Sequence, residues 1–178
     1  SGVGRPEDRP PYVCYVCGYS MFNALFTKTE EYNKLAQALG SPGACALFGV
    51  PGAGRALIYA ALAQALDRPL CIVTPGEAEA TRFAGDLNAL GITAAVFPAR
   101  DYVLRPIEGT GREYEYRRLA VLGDLVGGRL QAVCVPDEGL TQYTTPRAEF
   151  CANTRTLHPG DTLPRAELTA LLYGAGYA

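Results

Sequence analysis

A second Cys-x-x-Cys pair is missing from this chain, and its one His, His158, lies in a different segment from Cys14 and Cys17, the only cysteines with ligand spacing. A four-ligand metal site needs a second pair, so a metal or redox role for these two is a minor alternative and the expected metal ligands are none. No apolar run approaches the length that spans a bilayer, and the N-terminus lacks the apolar core of a signal peptide. No membrane partner is expected, and the cytoplasm is the default location. Charge of either sign is scarce in excess: the net value is −2, which excludes a basic nucleic-acid-binding tail. Of the six cysteines, Cys45, Cys71 and Cys134 fall inside apolar strand-like runs, where a free thiol behaves as a small hydrophobe, so this is no disulfide scaffold.

What is present is material for a core. Hydrophobic residues make up 48% of 178 positions, enough for one α/β domain and a further piece. Ala44 to Phe48 is a short apolar run of buried-strand length, and Arg55 to Leu66 is an Ala/Leu-rich segment of helical length closed by Asp67-Arg68-Pro69. A second cycle has Leu70 to Val73 as strand, a Thr74-Pro75-Gly76 turn, and a helix from Glu77 to Leu90. Ala80, Phe83, Ala84 and Leu87 recur there at helical spacing, and Gly91 is placed to end it. A third cycle has Ala94 to Phe97 as strand, a polar segment over 98–112, and a helix over 113–126 carrying Leu119, Leu122 and Val126. Ala132 to Val135 is a fourth strand. Apolar strands alternating with helices predict a parallel sheet covered on both faces.

Between the first strand and helix stands Gly49-Val50-Pro51-Gly52-Ala53-Gly54-Arg55-Ala56, which has the spacing of a phosphate-binding P-loop. In a working loop a Lys reaches the outer phosphates and a Ser or Thr hydroxyl ligates Mg²⁺. Arg55 keeps the charge in a wider, planar group. Ala56 offers only a methyl, so Mg²⁺ loses a protein ligand and hydrolysis is not expected. The motif is thus a degenerate P-loop. Gly49, Gly52, Gly54 and Arg55 are its candidate nucleotide-binding residues, there is no candidate catalytic residue, and a turn that only satisfies backbone geometry is the competing reading.

Other features carry less. Asp137-Glu138 follows the fourth strand, but Pro136 intervenes and a solvated loop is expected. Arg100, Arg105, Arg112, Arg117 and Arg118, interleaved with Tyr102, Tyr114 and Tyr116, could track phosphates; with Glu108, Glu113 and Glu115 among them, an amphipathic helix is the favoured reading. Arg147, Arg155 and Arg165 are scattered. A final helix opens near Pro164 with Leu168, Leu171 and Leu172 on one side, a stripe that is left exposed if its partner surface is absent.

The order of these segments resembles the amino-terminal module of bacterial transcription-repair coupling factor, itself similar to the first domain of excinuclease B. The resemblance runs from Met21, the only Met, to the C-terminus. It is carried by Gly49–Ala56, Leu70-Cys71-Ile72-Val73-Thr74-Pro75 with its helix, Phe97-Pro98-Ala99-Arg100-Asp101-Tyr102, the helix around Arg118 to Leu122, Val133-Cys134-Val135-Pro136, and Leu168 to Tyr177. Excinuclease B is an ATPase with Lys and Thr where this chain has Arg55 and Ala56, and it carries a long strand-separating hairpin for which 97–118 leaves no room. The coupling-factor module lacks both features, as this chain does. The family commonly has Arg after the match to Gly176-Tyr177, where Ala178 stands.

The resemblance implies a degenerate P-loop α/β domain over 21–145 and the beginning of a second subdomain over 146–178, cut short. Residues 1–20 read as an extension outside the fold, disordered or non-native. The implied function is a non-catalytic scaffold within an ATP-dependent DNA translocase that displaces stalled RNA polymerase and recruits nucleotide-excision repair. ATP and Mg²⁺ would belong to a downstream motor module, and no cofactor is expected here. Excinuclease A is the implied partner of this module, while RNA polymerase and double-stranded DNA would be met by downstream domains. The alternative is an active, nucleotide-binding excinuclease B-like helicase domain whose loop tolerates Arg55.

Overall fold

The computed structural model describes residues 26–66, 68–100 and 113–174. Cys14, Cys17, Met21 and the 1–20 extension, the stretch Asp101 to Arg112, and Gly176-Tyr177-Ala178 lie outside the described residues. The chain divides into two units, Ser1–Leu140 and Thr141–Ala178.

In the first unit, Thr29 caps helix α1 (Glu30–Gly40): its hydroxyl oxygen accepts from the Tyr32 amide at 3.3 Å, and Glu30 and Glu31 lie at the positive end of the helix dipole. This helix is additional to the expected elements, and its signals in the sequence are the Thr29 cap and the acidic first turn. Tyr32 is buried, meets Phe26 edge to face, and donates its phenolic hydroxyl to the Ala61 carbonyl at 3.2 Å. That bond ties α1 to α2 (Gly52–Ala65). Helix α2 has two working faces. Ile58, Ala61 and Leu62 pack on Tyr32, while Ala56, Ala60 and Ala63 pack toward the sheet.

The sheet has three parallel strands, β1 (Leu70–Thr74), β2 (Ala94–Val96) and β3 (Ala132–Pro136), in the order β1-β3-β2. Ile72 and Ala95 lie in register with Cys134 and Val133 of β3. Strand side chains alternate between faces. Ala132 and Cys134 face α2 and α3 (Glu77–Ala89), and Val133 and Val135 face α4 (Glu113–Val126). The connection from β1 to β2 runs over one face and the return from β2 to β3 over the other, as right-handed crossovers moving in opposite directions require. This is a small, open parallel α/β sheet with helices on both faces.

Helix α3 buries Ala80, Phe83, Ala84 and Leu87, the stripe that the spacing predicts. Its end is doubly fixed. Gly91 takes φ 80° so the Ile92 amide can reach back to the Leu87 carbonyl at 3.0 Å. Asn88 then donates from its side chain to the Ala94 carbonyl at 2.9 Å and accepts from the Ala94 amide at 3.1 Å, which anchors β2.

Three expectations are corrected. Residues 44–48 form no strand and are exposed, with no sheet partner among the described residues; a short apolar run does not reveal whether a strand edge is within reach. Helix α4 turns Val121, Leu122 and Leu125 inward, while Leu119 and Val126 are 43% and 41% exposed, so its buried stripe is rotated from the expected one. Asp137-Glu138 is the exposed first turn of a short helix α5 (Asp137–Thr141), where the Asp137 carboxylate accepts from the Glu138 amide at 2.8 Å.

The second unit holds α6 (Arg147–Ala152) and α7 (Arg165–Gly174), each preceded by a Pro that lacks the amide a first turn leaves unpaired. An Arg155–Glu167 ion pair links the segment after α6 to α7. Neither helix buries a residue, and Leu168, Leu172 and Tyr173 are exposed.

Burial pushes the Cys134 thiol up to about 11, with Cys71 adding to the shift, while Cys45, Cys71 and Cys151 are exposed. Thiol labelling of the native protein at pH 8 is expected to modify those three and spare Cys134 until denaturant is added. The unfolded thiol ionises first, near 9. Stability is therefore expected to decline as pH rises from about 9 to about 11, and denaturant melts across that range check the sign.

Candidate functional site

The glycine motif enters the structure differently from a loop wrapped around a phosphate. Gly49 alone among its glycines takes a left-handed φ, 76°. Helix α2 already begins at Gly52, so Gly52 and Gly54 lie in its first turn. A Cβ on Gly54 would stand 3.1 Å from the Val50 side chain and 3.6 Å from the Pro51 ring. The closeness that Gly54 permits is therefore to its own preceding turn.

Pro51 occupies the N-cap with no side-chain acceptor, and the first turn of α2 holds no acid. The Arg55 amide bonds the Pro51 carbonyl at 3.2 Å, and the Arg55 side chain is exposed. Uncapped amides at the positive end of a helix, together with a guanidinium, are a weak attraction for an anion. Beside them lies a cavity of about 540 Å³ lined by Leu35, Leu39, Phe48, Arg55, Ile58 and Tyr59 among others, with no acid among the described residues of its wall. The structure thus brings Gly49 and Arg55 to one cavity and puts Gly52 and Gly54 into the helix that borders it.

Ala56 settles the orientation of the next position. It is 4% exposed and belongs to the cluster with Ala60, Ala63, Ile72 and Phe83. A hydroxyl at this position would be set among these apolar side chains.

The arginine-rich stretch is largely consumed by internal contacts. Arg100 pairs with Glu115 at 3.6 Å and Arg117 with Glu113 one turn away. Arg118 donates to the carbonyls of Pro98 at 2.8 Å and Gly139 at 3.5 Å, and its guanidinium stacks 4.0 Å from the Phe97 ring centroid. It rivets α4 to the end of β2 and to α5. Gly139 makes that junction possible, because a Cβ there would meet the Phe97 carbonyl and the Pro136 ring, each at 3.3 Å. The amphipathic pattern predicts Arg118 on the outer side of the helix, with phosphate tracking as the lesser reading, and neither anticipates this role; the aromatic Phe97 before Pro98 is the available signal. Tyr102, Arg105 and Arg112 lie outside the described residues. Among the described residues no three His, Cys, Asp or Glu side chains converge to hold a metal ion, and no helix is long and apolar enough to cross a membrane.

Comparison of the chain with protein-family models, with curated proteins and with solved structures gives no match. Function has to be argued from the residues.

Two substitutions separate core from site. Ala56→Thr is expected to lower stability by about 1–3 kcal/mol, because it buries a hydroxyl, whereas Arg55→Lys is expected to stay within about 0.5 kcal/mol. Urea unfolding of both variants measures the difference. Arg118→Ala is expected to cost about 2–3 kcal/mol by losing a charged donor and its ring contact, with Arg118→Lys recovering only part, read by the same melts.

Proposed function

We propose that this chain is the amino-terminal, excinuclease B-like module of a transcription-repair coupling factor, and that it acts as a non-catalytic recruitment scaffold. The observation that carries the scaffold reading is the burial of Ala56. Phosphoryl transfer needs Mg²⁺ held against the phosphates, and the loop residue that would hold it is turned into the core. The family assignment rests on the order of segments in the sequence, from the degenerate glycine motif to the final Leu-rich helix. The small parallel α/β sheet is compatible with a P-loop-type ancestor.

In this reading the module keeps the framework of an ATPase and uses it to present surface. ATP turnover, translocation on double-stranded DNA and contact with RNA polymerase belong to downstream domains, and excinuclease A is the partner of this module. The exposed Arg55 beside uncapped amides supports a second reading, a nucleotide-binding domain of the excinuclease B type.

Calorimetric titration separates them. With Mg²⁺-ATP the chain is expected to give no binding heat and no hydrolysis, and with purified excinuclease A it is expected to give saturable binding that ATP does not alter. Magnesium-dependent micromolar binding of ATP would replace the scaffold with the nucleotide-binding reading. Absence of any binding to excinuclease A would remove the recruitment role.

A further inference from the structure

We infer that the outer face of α4 is a docking surface for a second copy of this chain, met antiparallel about a two-fold axis level with Val121. Helix α4 has two apolar faces. The inner one, Val121, Leu122 and Leu125, packs on the sheet. The outer one is made of Tyr116, Leu119, Ala120, Gly123 and Val126, which at about 100° per residue fall within an arc of roughly 120°. Tyr116 is 55% exposed, and Leu119, Ala120 and Val126 are exposed with it. Single exposed apolar side chains are ordinary on a protein surface, but an uninterrupted stripe along a helix of about 21 Å marks an interaction surface.

Gly123 points the same way. It sits inside the helix, where glycine is less stable than alanine, and a Cβ there would meet no described atom within 4 Å. Nothing among the described residues requires a glycine at this place. Close approach of another helix does, and with Ala120 one turn earlier Gly123 leaves a shallow notch beside Leu119. A face that carries both a knob and a notch fits a copy of itself.

The charges beside the stripe choose that partner and its direction. Glu113, Arg117 and Asp124 line one margin within about 40° of one another, and Arg129 reaches the same margin by pairing with Asp124 at 2.8 Å. In chain order their signs alternate: negative, positive, negative, positive. Against a copy running the opposite way, Glu113 stands level with Arg129 of the second copy and Arg117 with its Asp124, so every charge meets its opposite. A parallel copy would set each charge against its like. The opposite margin carries Glu115, which is already paired with Arg100.

The two-fold rotation that sets the helices antiparallel keeps this margin on the same side of both, which is the condition for those pairs to meet. The same placement lays Leu119 over Gly123 of the second copy and Tyr116 against its Val126. The Glu113–Arg117 and Asp124–Arg129 pairs within each chain are thereby joined into two rings of four alternating charges. A pair of 14-residue helices buries less than the roughly 1,600 Å² of a standard interface, so the dimer is weak and depends on concentration. The surface uses no residue of the glycine motif and stands whichever reading of function is right.

Sedimentation velocity of the full chain between about 5 and 500 µM is expected to show reversible dimerisation with a dissociation constant on the order of 100 µM. Leu119→Glu is expected to stay monomeric over that range with an unchanged urea midpoint, because its side chain is exposed in the monomer. Arg117→Glu and Asp124→Arg are each expected to weaken self-association about tenfold, since each sets like charges together twice, and an equimolar mixture of the two is expected to recover it. A wild-type chain that is monomeric at the highest concentration would overturn the proposal, as would dimerisation that Leu119→Glu leaves intact. A lowered urea midpoint in Leu119→Glu would mean that another part of the same chain covers the face, and would overturn it too. Unaltered association of the two charge variants, or a mixture that stays as weak as they are, would overturn the antiparallel pairing.

Discussion

The described sheet and the helices that cover it take their positions from β3, the one described strand with a neighbour on each edge and helices on both faces. Its five residues are all buried, so every backbone polar group there has to be satisfied by the ladder and every side chain by packing. The two faces solve different problems. Ala132 and Cys134 are small, and they meet the Ala-rich surfaces of α2 and α3, where Ala60 and Ala80 are fully buried. Val133 and Val135 are larger and branched, and they fill the wider gap under α4 with Phe97, Val121 and Leu130. A substitution that changes volume on either face has no compensating slack, because interiors are packed to crystal-like density.

That close packing decides the fate of the glycine motif. Helix α2 can lie tight on the sheet because Ala56, Ala60 and Ala63 form its inner face. The same rotation that buries Ala56 exposes Arg55, one residue earlier and about 100° around the helix. Residues 55 and 56 are therefore separated by the geometry of one turn: the guanidinium faces solvent and the cavity, and the methyl faces hydrocarbon. Gly54 serves the turn that starts the helix, so its presence carries no independent claim on a ligand.

The two units differ in how much apolar surface they satisfy. In the first, three clusters absorb most large side chains, and Arg118 closes the junction among β2, α4 and α5 through two carbonyls and one ring. In the second, α6 and α7 bury nothing, and the Leu168 and Leu172 stripe stays exposed. An Arg155–Glu167 pair at the surface adds little to its stability.

Local pattern was legible wherever one helix or strand met the core by itself. The Ala80, Phe83, Ala84 and Leu87 stripe, the Gly91 stop, and the apolar runs at 70–73, 94–97 and 132–135 all state their roles through period and punctuation. Helix α1 was equally readable from Thr29 and its two acids and went unassigned. The rotation of α4, the helical turn at Asp137, the exposed, non-strand 44–48 segment and the contacts of Arg118 were not legible, because each depends on what stands opposite. By itself the sequence determined three of the strands, the helices over 55–66, 77–90 and 113–126 and the α/β class, since spacing and side-chain chemistry are local properties. Only tertiary structure decided which face of α2 meets the sheet, which strand lies at the centre of the described sheet and which arginines are drawn into internal contacts, since those depend on residues far apart in the chain.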